Sequence, residues 1–80
     1  MDTRTAVIQR ILTLCAENQI TLNKLAEQSG MAPSTLKNIL YGKSKNPGIV
    51  TIKILCDGLG ISLTDFFNSS EFFNLEQEIK

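Results

Sequence analysis

Eighty residues, 42% of them apolar and 20% charged, suffice for one small core and exclude a multi-domain enzyme. Eight basic side chains balance eight acidic ones and there is no histidine, so the commonest general base and metal ligand is missing. No apolar run reaches the ~18 residues of a membrane span, because Arg10, Glu17, Lys24 and Glu27 interrupt the first third. Cys15 and Cys56 lack metal-ligand spacing and have no histidine to activate a thiolate, so both are expected to line the core. Met1-Asp2-Thr3-Arg4 does not lead into the apolar block of a signal peptide. A cytoplasmic protein with no metal, no cofactor, no membrane and no small-molecule ligand is expected.

The neutrality is a sum of two unequal regions. No acidic residue occurs between Gln28 and Cys56, where Lys37, Lys43, Lys45 and Lys53 all lie. Residues 1–60 carry a net charge of +3 and the last twenty carry −3. The basic charge is therefore placed mid-chain.

Apolar residues at Val7, Ile8, Ile11, Leu12, Leu14 and Cys15 recur at three and four, which predicts an amphipathic helix over Thr3 to Asn18. Thr21 stands as N-cap before Leu22, Leu25 and Ala26, and Gly30 stops this short second helix. Pro33 suits the first turn of a third helix at about 33–41, whose inner side is Leu36, Ile39 and Leu40 and whose end is Gly42. Residues 42–48, with Pro47, read as an exposed loop. A fourth helix carries Ile49, Ile52, Leu55, Cys56 and Leu59. Its β-branched start, Ile49-Val50-Thr51-Ile52, also fits a strand, but a single strand without partners is excluded by the helical pattern elsewhere. Ser62 or Thr64 caps a fifth helix with Leu63, Phe66 and Phe67.

Two short helices joined by Ser29-Gly30-Met31-Ala32 have the form of a helix-turn-helix. The run Leu25-Ala26-Glu27-Gln28-Ser29-Gly30-Met31-Ala32-Pro33-Ser34-Thr35-Leu36, then Ile39, Gly42-Lys43, Asn46-Pro47, Thr51-Ile52, Leu59-Gly60-Ile61-Ser62-Leu63 and Phe66, resembles the phage-repressor (Cro-type, XRE-like) helix-turn-helix family. The likeness covers roughly residues 5–68. It implies an all-α, five-helix lambda-repressor-like DNA-binding domain over 1–68, with a short helical C-terminal extension at 69–80. It also implies that Ala26 lets helices two and three cross closely and that Gly30 makes the turn.

The resemblance places the recognition helix at helix three, with Ser34, Thr35, Lys37 and Asn38 as its base-reading positions. Their chemistry suits the task, since asparagine bonds bidentately to adenine, lysine donates to guanine, and hydroxyls serve either base. By the same correspondence the phosphate-binding set is Thr21, Tyr41, Lys43, Lys45 and Asn46. Taken singly, each of these residues also reads as an ordinary surface position, and Tyr41 as a core residue.

Three departures from the family stand out. Leu22 and Pro33 occupy positions where relatives often carry a polar residue, commonly glutamine, so base preference does not transfer. Cys15 and Leu40 replace a frequent arginine–glutamate pair between helices one and three, and are expected to touch as two apolar groups. Val50, Ile54, Phe67, Phe72, Phe73, Leu75 and Ile79 add apolar surface that something must cover. Either the segment Glu71 to Ile79 folds back over helix four, or the same surface joins two copies. In the second case Val50, Ile54 and Gly58 form a stripe open to a partner helix and the acidic tail faces away from DNA.

The expected function is sequence-specific binding of double-stranded DNA by a small bacterial or phage regulator, a repressor acting as a homodimer. The alternative is an interaction module, antitoxin-like or an adaptor, that keeps the fold without DNA binding. An enzyme is not expected, since Asp57, Asp65, Glu71 and Glu76 have no histidine, phosphate loop or nucleophile beside them.

Overall fold

Five helices and no strand are present among the described residues, 1–42 and 46–79, of the computed structural model. They are α1 (Thr3–Glu17), α2 (Leu22–Gln28), α3 (Pro33–Tyr41), α4 (Ile49–Leu59) and α5 (Leu63–Phe67), followed by a single 3-10 turn at Ser70–Phe72. Asp2 starts α1 by accepting the Thr5 amide at 2.8 Å, and hydrogen bonding from the Thr5 side chain and then from its amide holds the Asp2 carboxyl below its ordinary pKa. The helix buries Ala6, Val7, Ile11, Leu14 and Cys15, one face at helical spacing. Leu12, which the spacing predicts on the inner side, lies at the surface, because the stripe is narrower than the apolar run.

The same corner ends three of the helices. After α1 the amides of Gln19 and Ile20 donate to the carbonyls of Ala16 and Cys15. After α2, Gly30 and Met31 donate to Glu27 and Ala26, and after α4, Gly60 and Ile61 donate to Asp57 and Cys56. This paired pattern satisfies carbonyls that a helix end leaves unpaired and requires a left-handed residue at the turn. Gln19, Gly30 and Gly60 accordingly have φ of 55°, 69° and 72°. Glycine at the last two avoids the Cβ clash that makes this conformation costly for other residues. Ile20, Met31 and Ile61 then pack against the core, and the residue after each starts the next helix.

The core is built from all five helices. Ile11, Leu25, Leu36, Leu40, Leu55, Cys56 and Phe66 are its largest fully enclosed side chains, and no charged or polar residue is buried with them among the described residues. Cys15 and Leu40 are both buried in this one cluster, so two apolar groups stand where the family often has an ion pair. Ser62 caps α5, and reciprocal bonds between Ser62 and Asp65 complete a capping box.

The C-terminal segment departs from expectation twice. It is helical only through the 3-10 turn, since the turn has no capping side chain and 73–79 continue as turns and irregular backbone. It also lies along α1 and not over α4. Phe72 packs on Phe66 and Phe67, with ring centroids 6.0 and 5.0 Å away. From there the Glu76 amide donates to the Met1 carbonyl at 3.0 Å and the Thr3 hydroxyl donates to Glu78 at 2.9 Å. Arg10, midway along α1, ties the helix to α5 by donating to the carbonyls of Phe66 and Asp65 at 2.7 and 2.9 Å. Both carbonyls lie at the end of α5, where that of Asp65 also accepts the Asn68 amide at 3.3 Å, and a guanidinium is a strong donor for them.

Candidate nucleic-acid interface

Helix α2 begins at Thr21, whose exposed hydroxyl oxygen accepts the Lys24 amide at 3.0 Å. The oxygen is used by the cap, and the hydroxyl hydrogen is left to donate outward. Helix α3 packs on α2 through Leu25, Ala26 and Leu36, all fully enclosed. Ala26 takes little room, which permits the close crossing.

The face of α3 away from this contact holds Ser34, Thr35, Lys37 and Asn38, every one exposed. Leu36 and Leu40 are buried and Ile39 is half-buried, so one helix separates apolar and polar side chains cleanly. Ala32, at the N-cap, supplies no side-chain bond, and Pro33 at the first position has no amide to satisfy. Lys37 makes no ion pair among the described residues, whereas Lys24 pairs with Glu27 and Lys53 with Asp57. The four side chains therefore form a polar, cationic strip whose donors and acceptors are not spent on side-chain bonds among the described residues.

The α2–α3 unit is seated on α4 by a contact not evident in the sequence pattern. A Cβ placed at Gly58 would lie 3.1 Å from the Cα and N of Ser29, the residue that ends α2. Gly58 thus serves the close approach of α4 to the turn and is not the open end of an intermolecular stripe. The Ser29 hydroxyl is enclosed at this contact with no hydrogen-bond partner.

Of the expected phosphate-binding set, Thr21, Tyr41 and Asn46 are at the surface. Tyr41 is 65% exposed and so does not complete the core. Lys43 and Lys45 lie outside the described residues. Leu22, at one of the family's polar positions, is partly buried against the core, and Pro33, at the other, is exposed. Asn46 and Pro47 share a cleft with Asp2, Arg4 and Glu78, so the acidic tail comes close to these two residues.

A second surface is apolar. Val50 is 70% exposed and Ile54 39%, and Ile49 beside them is also uncovered. A shallow groove lined by Ile49, Leu63 and Phe67 adjoins them. Phe67 and Phe72 are partly buried in the ring cluster, Leu75 is half-buried, and Phe73 and Ile79 are exposed on the tail. The expected covering surface thus divides into a part closed within the chain and a part left open, on α4 at Val50 and Ile54 and on the tail at Phe73 and Ile79.

Chemistry of other kinds finds little to work with. Cys15 and Cys56 are free and buried, and burial pushes both thiols up in pKa, so they are neutral near pH 7. Among the described residues no group of three metal-ligating side chains comes together and no helix is long and apolar enough to cross a membrane.

A family model described as the Cro/C1-type helix-turn-helix DNA-binding domain matches residues 10–70. Among solved structures, the crystal structure of the prophage Lp1 protein 11 is similar to this chain, with 33% sequence identity and a TM-score of 0.79 over 94% of this chain and 100% of that one. No curated protein matches. The all-helical order, the glycine corner between α2 and α3 and this match across most of the chain lead to one assignment: the protein belongs to the Cro/C1-type helix-turn-helix family of DNA-binding regulators.

Proposed function

We propose that the protein is a sequence-specific, double-stranded-DNA-binding repressor that acts as a homodimer in the cytoplasm and has no enzymatic activity. The observation that carries this reading is the polar strip Ser34, Thr35, Lys37 and Asn38 on α3, exposed and free of ion pairs among the described residues. Entering the major groove with this end of α3, Asn38 reads adenine, Lys37 reads guanine, and Ser34 and Thr35 adapt to the remaining bases. Thr21 donates to a phosphate at the start of α2, and Tyr41, Lys43, Lys45 and Asn46 hold the backbone on the other side. Repression follows from occupying a promoter.

The homodimer reading is supported by the uncovered apolar surface of α4. Val50 and Ile54 protrude next to the groove floored by Phe67, which gives a two-fold pairing both a ridge and a hollow on one face. The Lys53–Asp57 pair lies on the same helix, so antiparallel copies of α4 would bring each lysine toward the opposite aspartate. Such a dimer would set two recognition helices about 34–36 Å apart on successive turns of DNA.

The test is selection from a randomised duplex library at two salt concentrations, with the recovered sequences read out. A near-palindrome with half-sites about one helical turn apart is the expected result, with affinity falling steeply as salt rises. No enrichment at either salt would reject the DNA-reading function and turn attention to protein partners of Val50 and Ile54.

A further inference from the structure

Arg4 belongs to none of the sites predicted from the sequence. It stands in the first turn of α1, and its Nη2 donates at 3.0 Å to the carbonyl of Gly42, 38 residues further on. Gly42 is where α3 stops. Its amide still donates to the Asn38 carbonyl at 2.9 Å, while φ of −81° and ψ of −175° turn the chain into extended backbone. A carbonyl at a helix end has no intrahelical partner, and a guanidinium bond to it is stronger than a neutral one. One residue's backbone is therefore held from both sides, by α3 at its amide and by α1 at its carbonyl.

The surroundings give this bond more to do than it would have in a packed core. Arg4 borders an open cleft between the start of α1 and the residues Asn46 and Pro47. A Cβ at Gly42 would come within 2.5 Å of the Asn38 carbonyl oxygen, so this backbone position admits no side chain in its present conformation. Cys15 and Leu40, at the usual places of the family's ion pair between these helices, are both apolar and buried. Arg4 lies about three helical turns before Cys15 on the same side of α1. The Arg4–Gly42 bond is thus a polar link between α1 and the end of α3, made by a residue that borders the cleft.

We infer that Arg4 is a positioning residue for DNA binding: through the Gly42 carbonyl it sets the end of α3, so that the phosphate contacts proposed beside that end meet the duplex in register. This rests on the DNA-binding reading above. Arg4 acts through the backbone and touches no base, so it governs affinity and not sequence preference.

The experiment compares wild type with Arg4→Ala and Arg4→Lys in two arms. The first follows amide hydrogen exchange in the free protein. Arg4→Ala is expected to speed exchange at Gly42 about ten-fold while the amides of Leu14 and Leu55 keep their protection, and Arg4→Lys, a shorter and non-planar donor, falls between. The second measures binding to the selected duplex. Arg4→Ala is expected to weaken it about ten-fold, with the same fold-change on a scrambled duplex and a salt slope shallower by ~1 for each phosphate that is no longer engaged.

Unchanged exchange at Gly42 overturns the inference, as does faster exchange with unchanged affinity. Faster exchange throughout the core means global loosening and also overturns it. Full recovery of affinity in Arg4→Lys while Gly42 still exchanges fast would make Arg4 a direct phosphate contact instead. Wild type failing to bind any duplex is the failure of the DNA-binding reading itself, and is distinct from a variant that behaves like a binding-competent wild type.

Discussion

The corner between α2 and α3 and the corner between α4 and α5 are built alike up to the point where the second helix begins. Each has a left-handed glycine, the same pair of backbone bonds and an apolar residue laid on the core. They then diverge. Ser62 and Asp65 close the start of α5 with reciprocal bonds, whereas Ala32 leaves the start of α3 without a side-chain cap. One corner spends its polar groups on the chain, and the other keeps them for something outside it. A cap is worth ~1 kcal/mol, so this amounts to stability forgone at the start of the helix proposed to read DNA.

The largest effect expected is at the contact that seats one corner on the other. Gly58→Ala should drive a methyl into Ser29 and cost about 1–3 kcal/mol, the usual range for overpacking. In a domain of this size the thermal midpoint would fall by about 4–8 °C per kcal/mol. An unchanged midpoint would mean that α4 and the turn have room to separate, and the two corners would then be independent.

Asn38→Ala should separate the corners by kind of consequence. It is expected to weaken binding by ~1–3 kcal/mol at the sequence it reads and to leave the melting midpoint nearly unmoved, because Asn38 is exposed. Ser62→Ala should do the reverse, lowering stability by ~1 kcal/mol with little change in DNA preference. The complementary substitution, Ala32→Ser, should stabilise α3 by a similar amount. If Ser62→Ala damages binding as much as Asn38→Ala does, the contrast between a closed and an open helix start is wrong.

Much of this is legible in the amino-acid order. The five helices follow from apolar spacing and from Thr21, Gly30, Pro33, Gly42 and Ser62, because caps and breakers act over a few residues and leave local marks. The outward face of α3 follows from Leu36, Ile39 and Leu40 for the same reason. The destination of the tail is not legible. Phe72 has the same apolar character whether it meets α4 or the rings of Phe66 and Phe67, and only the packed geometry decides. Gly58 misleads in the same way, since a small residue at i+8 from Val50 marks a close approach without saying to what. Arg4 carries no signal at all, because its partner is a backbone carbonyl, and carbonyls are present at every position.

The smallest effect expected is with pH. Hydrogen bonds from Thr5 to Asp2 and from the Ser69 hydroxyl to Glu71 hold both carboxyls below their ordinary pKa values. Groups so shifted contribute stability that is fully present above the unfolded carboxylate range, ~4–4.5, and is lost as pH falls through the lower folded values. Both lie near the surface, so the melting midpoint should stay level from pH 7 to about pH 5 and decline only below it. A fall that begins well above pH 5 would require a titrating group other than these two.

The ties that Arg10 makes to the carbonyls of α5 have a kinetic consequence. Short corners bring α1 to α2, α2 to α3 and α4 to α5 through neighbouring residues, and local links of this kind favour folding on the microsecond-to-millisecond scale. Arg10 instead joins residues 55 and 56 positions apart, and can close only after the five-residue α5 has docked. Its bonds belong to the last stage of assembly, so replacing Arg10 by alanine should leave the refolding rate almost untouched and raise the unfolding rate. Such a latch between α1 and α5 lengthens the chain's lifetime in the folded state without hastening its formation.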